Sequence, residues 1–142
     1  MKEVIVAGDN RLVNMIVENS NLLLQHGQKR NSDLIYKDIS EFVCQNDPTY
    51  LFNSDEKIKK YISFLEKGII KSPEAVVWSP EYQDSINFFR ELKHMDYDGK
   101  KILVYCFRPI FEQHGEFADK SIYTLGEPAT LTILNFLGYS NQ

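Results

Sequence analysis

The chain has little cysteine and no paired cysteine motif. Cys44 and Cys106 lie far apart, and neither belongs to a C-x-x-C pair. A metal or redox motif built on thiols is therefore unsupported, and the chain is read as cytoplasmic with reduced thiols. Long hydrophobic runs are also missing. No stretch approaches the roughly 18 apolar residues that a membrane span needs, and the opening M-K-E-V-I-V-A-G-D-N reads as a strand and turn, not a signal peptide. Positive charge is not in excess, the formal net charge being −4. A general binder of nucleic acid or anionic membrane needs a basic surface, so neither partner is expected. There is no G-x-G-x-x-G and no P-loop, which removes the usual routes to tight dinucleotide or nucleoside-triphosphate binding. His26, His94 and His114 fall on separate elements without ligand spacing. No metal and no cofactor are expected.

What is present is a regular alternation. At 142 residues the chain is expected to be one domain, 1–142, with room for one sizeable core. Residues 3–7, E-V-I-V-A, form a continuous apolar strand of the kind buried in a parallel sheet. Gly8-Asp9-Asn10 is a turn in which Asp9 or Asn10 caps a helix over Leu12–Leu24. Residues 33–39 read as a second strand and 40–48 as a helical turn stopped by Pro48. Ser54 or Asp55 caps a helix over about 56–68, ending at Lys67-Gly68. Residues 74–78 are a third strand, and Ser79 or Asp84 caps the helix that follows. K-I-L-V-Y-C-F, 101–107, is the most strand-like run. A loop or irregular helix covers 108–119, a short strand 121–125, and a last helix starts near Pro128 and stops at Gly138. Such an order predicts an α/β fold, a five-stranded parallel doubly wound sheet between two helical layers.

Three stretches carry a resemblance. V-I-V-A-G-D-N-R-L-V, I-N-F-F-R-E-L-K-H-M-D-Y-D-G-K-K-I-L-V-Y and A-D-K-S-I-Y-T-L-G-E-P-A-T-L resemble the first, middle and last parts of the receiver domain of bacterial response regulators, a flavodoxin-like fold. In that family two acids after the first strand and an acceptor Asp ending the third hold a magnesium ion. The acceptor takes a phosphoryl group, whose oxygens are bound by a Ser or Thr after the fourth strand and a Lys after the fifth. A hard cation with oxygen ligands, plus positive charge on the transferred group, is the physical logic. Carried over residue by residue, Asp9 matches the second acid, but Gly8 replaces the first. Ser79 stands at the acceptor position, Cys106 at the Ser or Thr, and Glu127 at the Lys with its charge reversed. The stretch between the first helix and the third strand is longer than the family's by roughly twenty residues, which suggests an insert around 40–54. The resemblance implies a pseudo-receiver that keeps the scaffold without aspartyl phosphorylation.

Single residues carry two readings each. Asp9 is either a cation or ligand contact or a turn and cap residue. Ser79 lacks a G-x-S-x-G elbow and reads better as a cap than as a nucleophile. Cys106 at a strand end reads as a small buried hydrophobe, since a reactive thiolate needs a cationic neighbour. Arg108 either binds an anion at the sheet's carboxyl edge or pairs with Glu112 or Asp119. Trp78, Tyr82, Phe107 and Tyr123 either line a pocket there or belong to the core. The run 57–60, K-I-K-K, reads as a solvated helix face.

Three functions follow. One is a non-catalytic regulatory module working through protein contacts, including self-association as a homodimer, with the last helix and the aromatics of 49–52 as surfaces. Another is a binder of a small nucleotide-type ligand through Asp9, Asn10, Ser79, Tyr82, Arg108 and Glu127. The last is an enzyme, a hydrolase or glycosyl transferase using Asp9 or Glu127, which requires a carboxylate of raised pKa in a pocket.

Overall fold

A computed structural model describes residues 2–26, 34–43, 53–81, 84–104, 115–123 and 127–138. It holds one five-stranded sheet in the order β2-β1-β3-β4-β5. The strands are β1 (Lys2–Gly8), β2 (Leu34–Asp38), β3 (Ala75–Ser79), β4 (Lys100–Val104) and β5 (Lys120–Ile122), and every pairing is parallel. The helices are α1 (Asn10–His26), α2 (Ser40–Val43), α3 (Ser54–Glu66), α4 (Phe88–His94) and α5 (Glu127–Phe136). This is the expected doubly wound α/β architecture.

The apolar run of β1 is continuous because the strand sits between β2 and β3 with both faces covered. Val4 and Val6 enter a largely aliphatic core with Val13 and Ile16 of α1 and Ala129 and Ile133 of α5. Ile5 and Ala7 point the other way, into a second core with Val43 of α2, Ile58, Tyr61 and Ile62 of α3, and Phe88, Phe89 and Leu92 of α4. That second core is aromatic. Trp78 meets Phe89 at 5.3 Å and Phe88 at 6.2 Å between ring centroids, both edge to face, a geometry that adds about 0.5–1.5 kcal/mol per pair beyond burial.

One edge of the sheet is closed by a side chain. The amide of Asn21, on α1, accepts from the backbone N–H of Tyr36 at 2.9 Å and donates to the carbonyl of the same residue at 3.0 Å. It thereby satisfies the outward-facing pair in the middle of the edge strand β2, groups that would otherwise invite another strand.

Two helix starts differ from the sequence reading. Asn53 caps α3, its side-chain oxygen accepting from the N–H of Glu56, and Asn87 caps α4 by accepting from Arg90. Ser79 does not cap a helix. It completes β3 opposite Gly8, and residues 80–87 intervene before α4. Asp84, the other expected cap, has its carboxylate turned to Glu81 and Ser54. Gly68 and Gly138 follow their helices with positive φ, as read from the sequence. Of the expected insert around 40–54, residues 40–43 form α2 and 53–54 lead into α3, while 44–52 lie outside the described residues.

Candidate functional site

In a parallel sheet of this order the chain reverses its winding between β1 and β3, and the crevice beyond their carboxyl ends is where such folds bind ligands. Here the ends of β1 and β3 are in direct backbone contact. The amide of Asp9 donates to the carbonyl of Ser79 at 2.9 Å. Gly8 lies against the same carbonyl with φ +120, so close that a Cβ built on it would stand 1.7 Å from the Ser79 oxygen. Only glycine fits.

The candidate residues fare differently. Asp9 acts as the cap of α1, its Oδ1 accepting from Arg11 N–H at 2.9 Å and Leu12 N–H at 3.3 Å. Asn10 begins α1 and is exposed. Ser79 is fully buried, and its hydroxyl has no hydrogen-bond partner among the described residues. Trp78 is core and not pocket wall, whereas Tyr123 is 72% exposed, so no ring-lined pocket joins these two. Tyr82, Arg108, Cys44, Cys106, Phe107 and His114 lie outside the described residues, as does the side chain of Glu127. Asp119, one of the two partners read for Arg108, accepts from the N–H of Lys101 at 2.7 Å and pairs with its ammonium at 3.6 Å.

Beside the crevice is a cluster that sequence reasoning missed. The first turn of α3 faces the loop between β3 and α4. Ser54 Oγ donates to Asp84 Oδ2 at 3.2 Å, and the same oxygen accepts from Glu81 N–H at 2.9 Å. Asp55 accepts from the Ser85 hydroxyl at 2.7 Å, from Ser85 N–H at 3.0 Å and from Ile86 N–H at 3.2 Å. The two carboxylates are in opposite states. Burial alone would lift Asp55, but its bonds to Ser85 and Ile86 outweigh that and hold it below the ordinary carboxylate range. Burial pushes Asp84 up to about 6, helped by the nearby charges of Asp55 and Glu81 and opposed by its two hydrogen bonds. Glu81 is also raised, by burial and then by the charge of Asp9. Among the described residues, no group of three or more His, Cys, Asp or Glu side chains is placed to hold a metal ion.

Two hollows lined by described residues bear on the site. A narrow one at the ends of β1 and β2, lined by Asn10, Asp38, Ser40, Ser54 and Lys57, has essentially no interior volume open to water. A groove of about 500 Å³ lies at the opposite end of the sheet, between the end of α4 and the approach to β5. Its Phe117 ring already carries Lys93 at 5.0 Å and Arg90 at 5.7 Å.

This sheet order, with helices on both faces, is that of the receiver-like, flavodoxin-type proteins, and solved structures agree. A DNA-binding response regulator of the LuxR family from Staphylococcus aureus matches with a TM-score of 0.59 and 16% identity, covering 96% of this chain and 98% of that one. The receiver domain of Francisella response regulator 1452 matches with a TM-score of 0.53 and 11% identity, covering 96% of each chain. At these identities the likeness is one of fold. No family model matches the sequence, and no curated protein does. Among the described residues no helix is long and apolar enough to cross a membrane.

Proposed function

We propose that this chain is a receiver-like regulatory module that acts through protein contacts and takes no phosphoryl group. The single observation that carries this reading is the packing of Gly8 on the Ser79 carbonyl. A receiver needs acids at both positions, and here one position has no room for a side chain while the other holds a buried, neutral hydroxyl. The ligand-binding alternative draws less support, since the hollow near Asn10 is closed to water. The enzyme alternative asks for a raised carboxylate in a pocket. Asp84 is raised, but it is engaged in a loop contact and lines neither hollow. A homodimer, a cytoplasmic setting and a single domain over 1–142 are part of the same proposal.

The test is incubation of the whole protein with magnesium and a small phosphoryl donor, read by intact mass and thermal shift, with a nucleotide panel and sedimentation in parallel. The expected result is no phosphoryl adduct and no shift, with a defined dimer. An adduct would overturn the reading, and a saturable shift with one nucleotide would replace it by the ligand-binding one.

A further inference from the structure

The contact between α3 and the β3–α4 loop joins consecutive residues to consecutive residues thirty positions away: Ser54 to Asp84, and Asp55 to Ser85. These bonds tie the first turn of α3 to residues 84–86 at the rim of the carboxyl end of the sheet. The two halves of the contact are unequal. Asp55 receives three donors. Asp84 receives two, both on Oδ2, and sits deeper.

Among the described residues, the charged groups that act on Asp84 are of its own sign. Asp55 faces it from α3 and Glu81 from its own loop, and Asp9 adds its charge to Glu81 from the β1–α1 turn. The nearby cations act elsewhere: Lys57 on Glu81 and Lys59 on Asp55. Among the described residues no ion pair is formed by Asp84. Ionised Asp84 therefore holds the loop against both its own burial and its neighbours, and protonation removes both penalties without removing an acceptor.

We propose that Asp84 is a proton-operated latch: protonated, it fastens residues 84–86 to the first turn of α3, and ionised, it loosens them, so the hold between these two segments follows pH. The latch goes beyond the regulatory reading and is tested without phosphoryl donors or partners, so either can fail alone. Its sign follows from linkage. A carboxyl whose folded-state pKa lies above its unfolded value supports the structure fully below the unfolded value of 3.8, and that support is lost as pH rises through about 6. Between pH 5 and 7.5 the unscreened shift would change the closed-to-open ratio about tenfold, and partial exposure of the carboxylate reduces that to about fivefold.

The experiment is amide hydrogen exchange on the whole protein at pH 5 and 7.5, corrected for intrinsic rates, in the wild type and Asp84→Asn. The protection of Ser85 and Ile86 should fall about fivefold in the wild type between these pH values and less than twofold in the variant. The Asp84 carboxyl carbon of the wild type should titrate with a midpoint near 6 by NMR. An equal fall in both proteins would overturn the latch, as would a midpoint below about 5. The NMR titration needs no variant, so a poorly folding Asp84→Asn would still leave a decision.

Discussion

Replacing Gly8 by alanine tests the backbone contact between the ends of β1 and β3. The added Cβ would sit 1.7 Å from the Ser79 oxygen, 2.5 Å from its carbonyl carbon and 3.1 Å from its Cα. All three atoms are backbone, so no side-chain rotation relieves the clash, and the ends of β1 and β3 must part by more than an ångström. Three costs arise together. A non-glycine residue is held at φ +120, a strain of about 1–3 kcal/mol. The hydrogen bond from Asp9 to Ser79 is lost, at about 1 kcal/mol. The overpacked strand end adds about 1–3 kcal/mol. These overlap, and the expected total is about 4 kcal/mol, a fall in Tm of roughly 10–15 °C for a chain of this size. The assay is urea denaturation with linear extrapolation, with Gly68→Ala as the control. Gly68 also has positive φ, +69, but nothing lies within 4 Å of its Cβ position, so that variant should lose only about 1 kcal/mol. Equal losses at the two glycines would refute the reasoning, because the contact with Ser79 would then have contributed nothing. The Gly8 result also bears on function: if alanine does not fit, the longer aspartate of a receiver does not fit either.

Other perturbations have different signs. Ser79→Ala removes a buried hydroxyl that has no partner among the described residues, so stability should hold or rise by up to about 1 kcal/mol; a loss above that would mean the hydroxyl is engaged. Ser79→Asp places a carboxylate in the same buried position and should destabilise by several kcal/mol, about 3 or more, in the same denaturation assay. Asn21→Ala removes both bonds to Tyr36 and should cost about 1–2 kcal/mol, with concentration-dependent association in sedimentation as the β2 edge is uncovered.

The strands and most helices were legible because their signals are local. β1 announces itself as an unbroken apolar run, and α1 and α3 by apolar residues at helical spacing. The starts of α3 and α4 were not legible. Ser79-Pro80 has the composition of a cap followed by a first helical residue, yet pairing with Gly8 keeps Ser79 in the strand, and that pairing joins residues far apart in the chain. Asn87 then takes the capping role immediately before Phe88 and Phe89, the first buried residues of α4. Asp9 was legible as one of two candidate caps, with Asn10, because its partners, Arg11 and Leu12, are its sequence neighbours. The link from Ser54 and Asp55 to Asp84 and Ser85 could not be read in the same way. Each partner looks like an ordinary turn residue, and only the folding of α3 alongside the β3–α4 loop brings them together. Gly8 was read as the loss of an acid; the sequence does not reveal that the space for the acid is gone as well.

The two sides of the sheet will not look alike to a spectroscopist. The chain's lone tryptophan, Trp78, is wholly buried on the α3 and α4 side, against Phe88 and Phe89. Tyr61 touches Phe88 at 6.1 Å and Phe42 at 5.8 Å, extending the rings towards α2. The opposite core is chiefly Val, Ile, Leu and Ala, with Tyr36 near its edge. Tryptophan emission is therefore a built-in reporter of one half of the molecule. It will register loosening of α4, which begins two residues after Ile86, and remain nearly blind to fraying of α1 or α5. A fluorescence melt that runs ahead of the far-ultraviolet signal would mean that the aromatic layer gives way first.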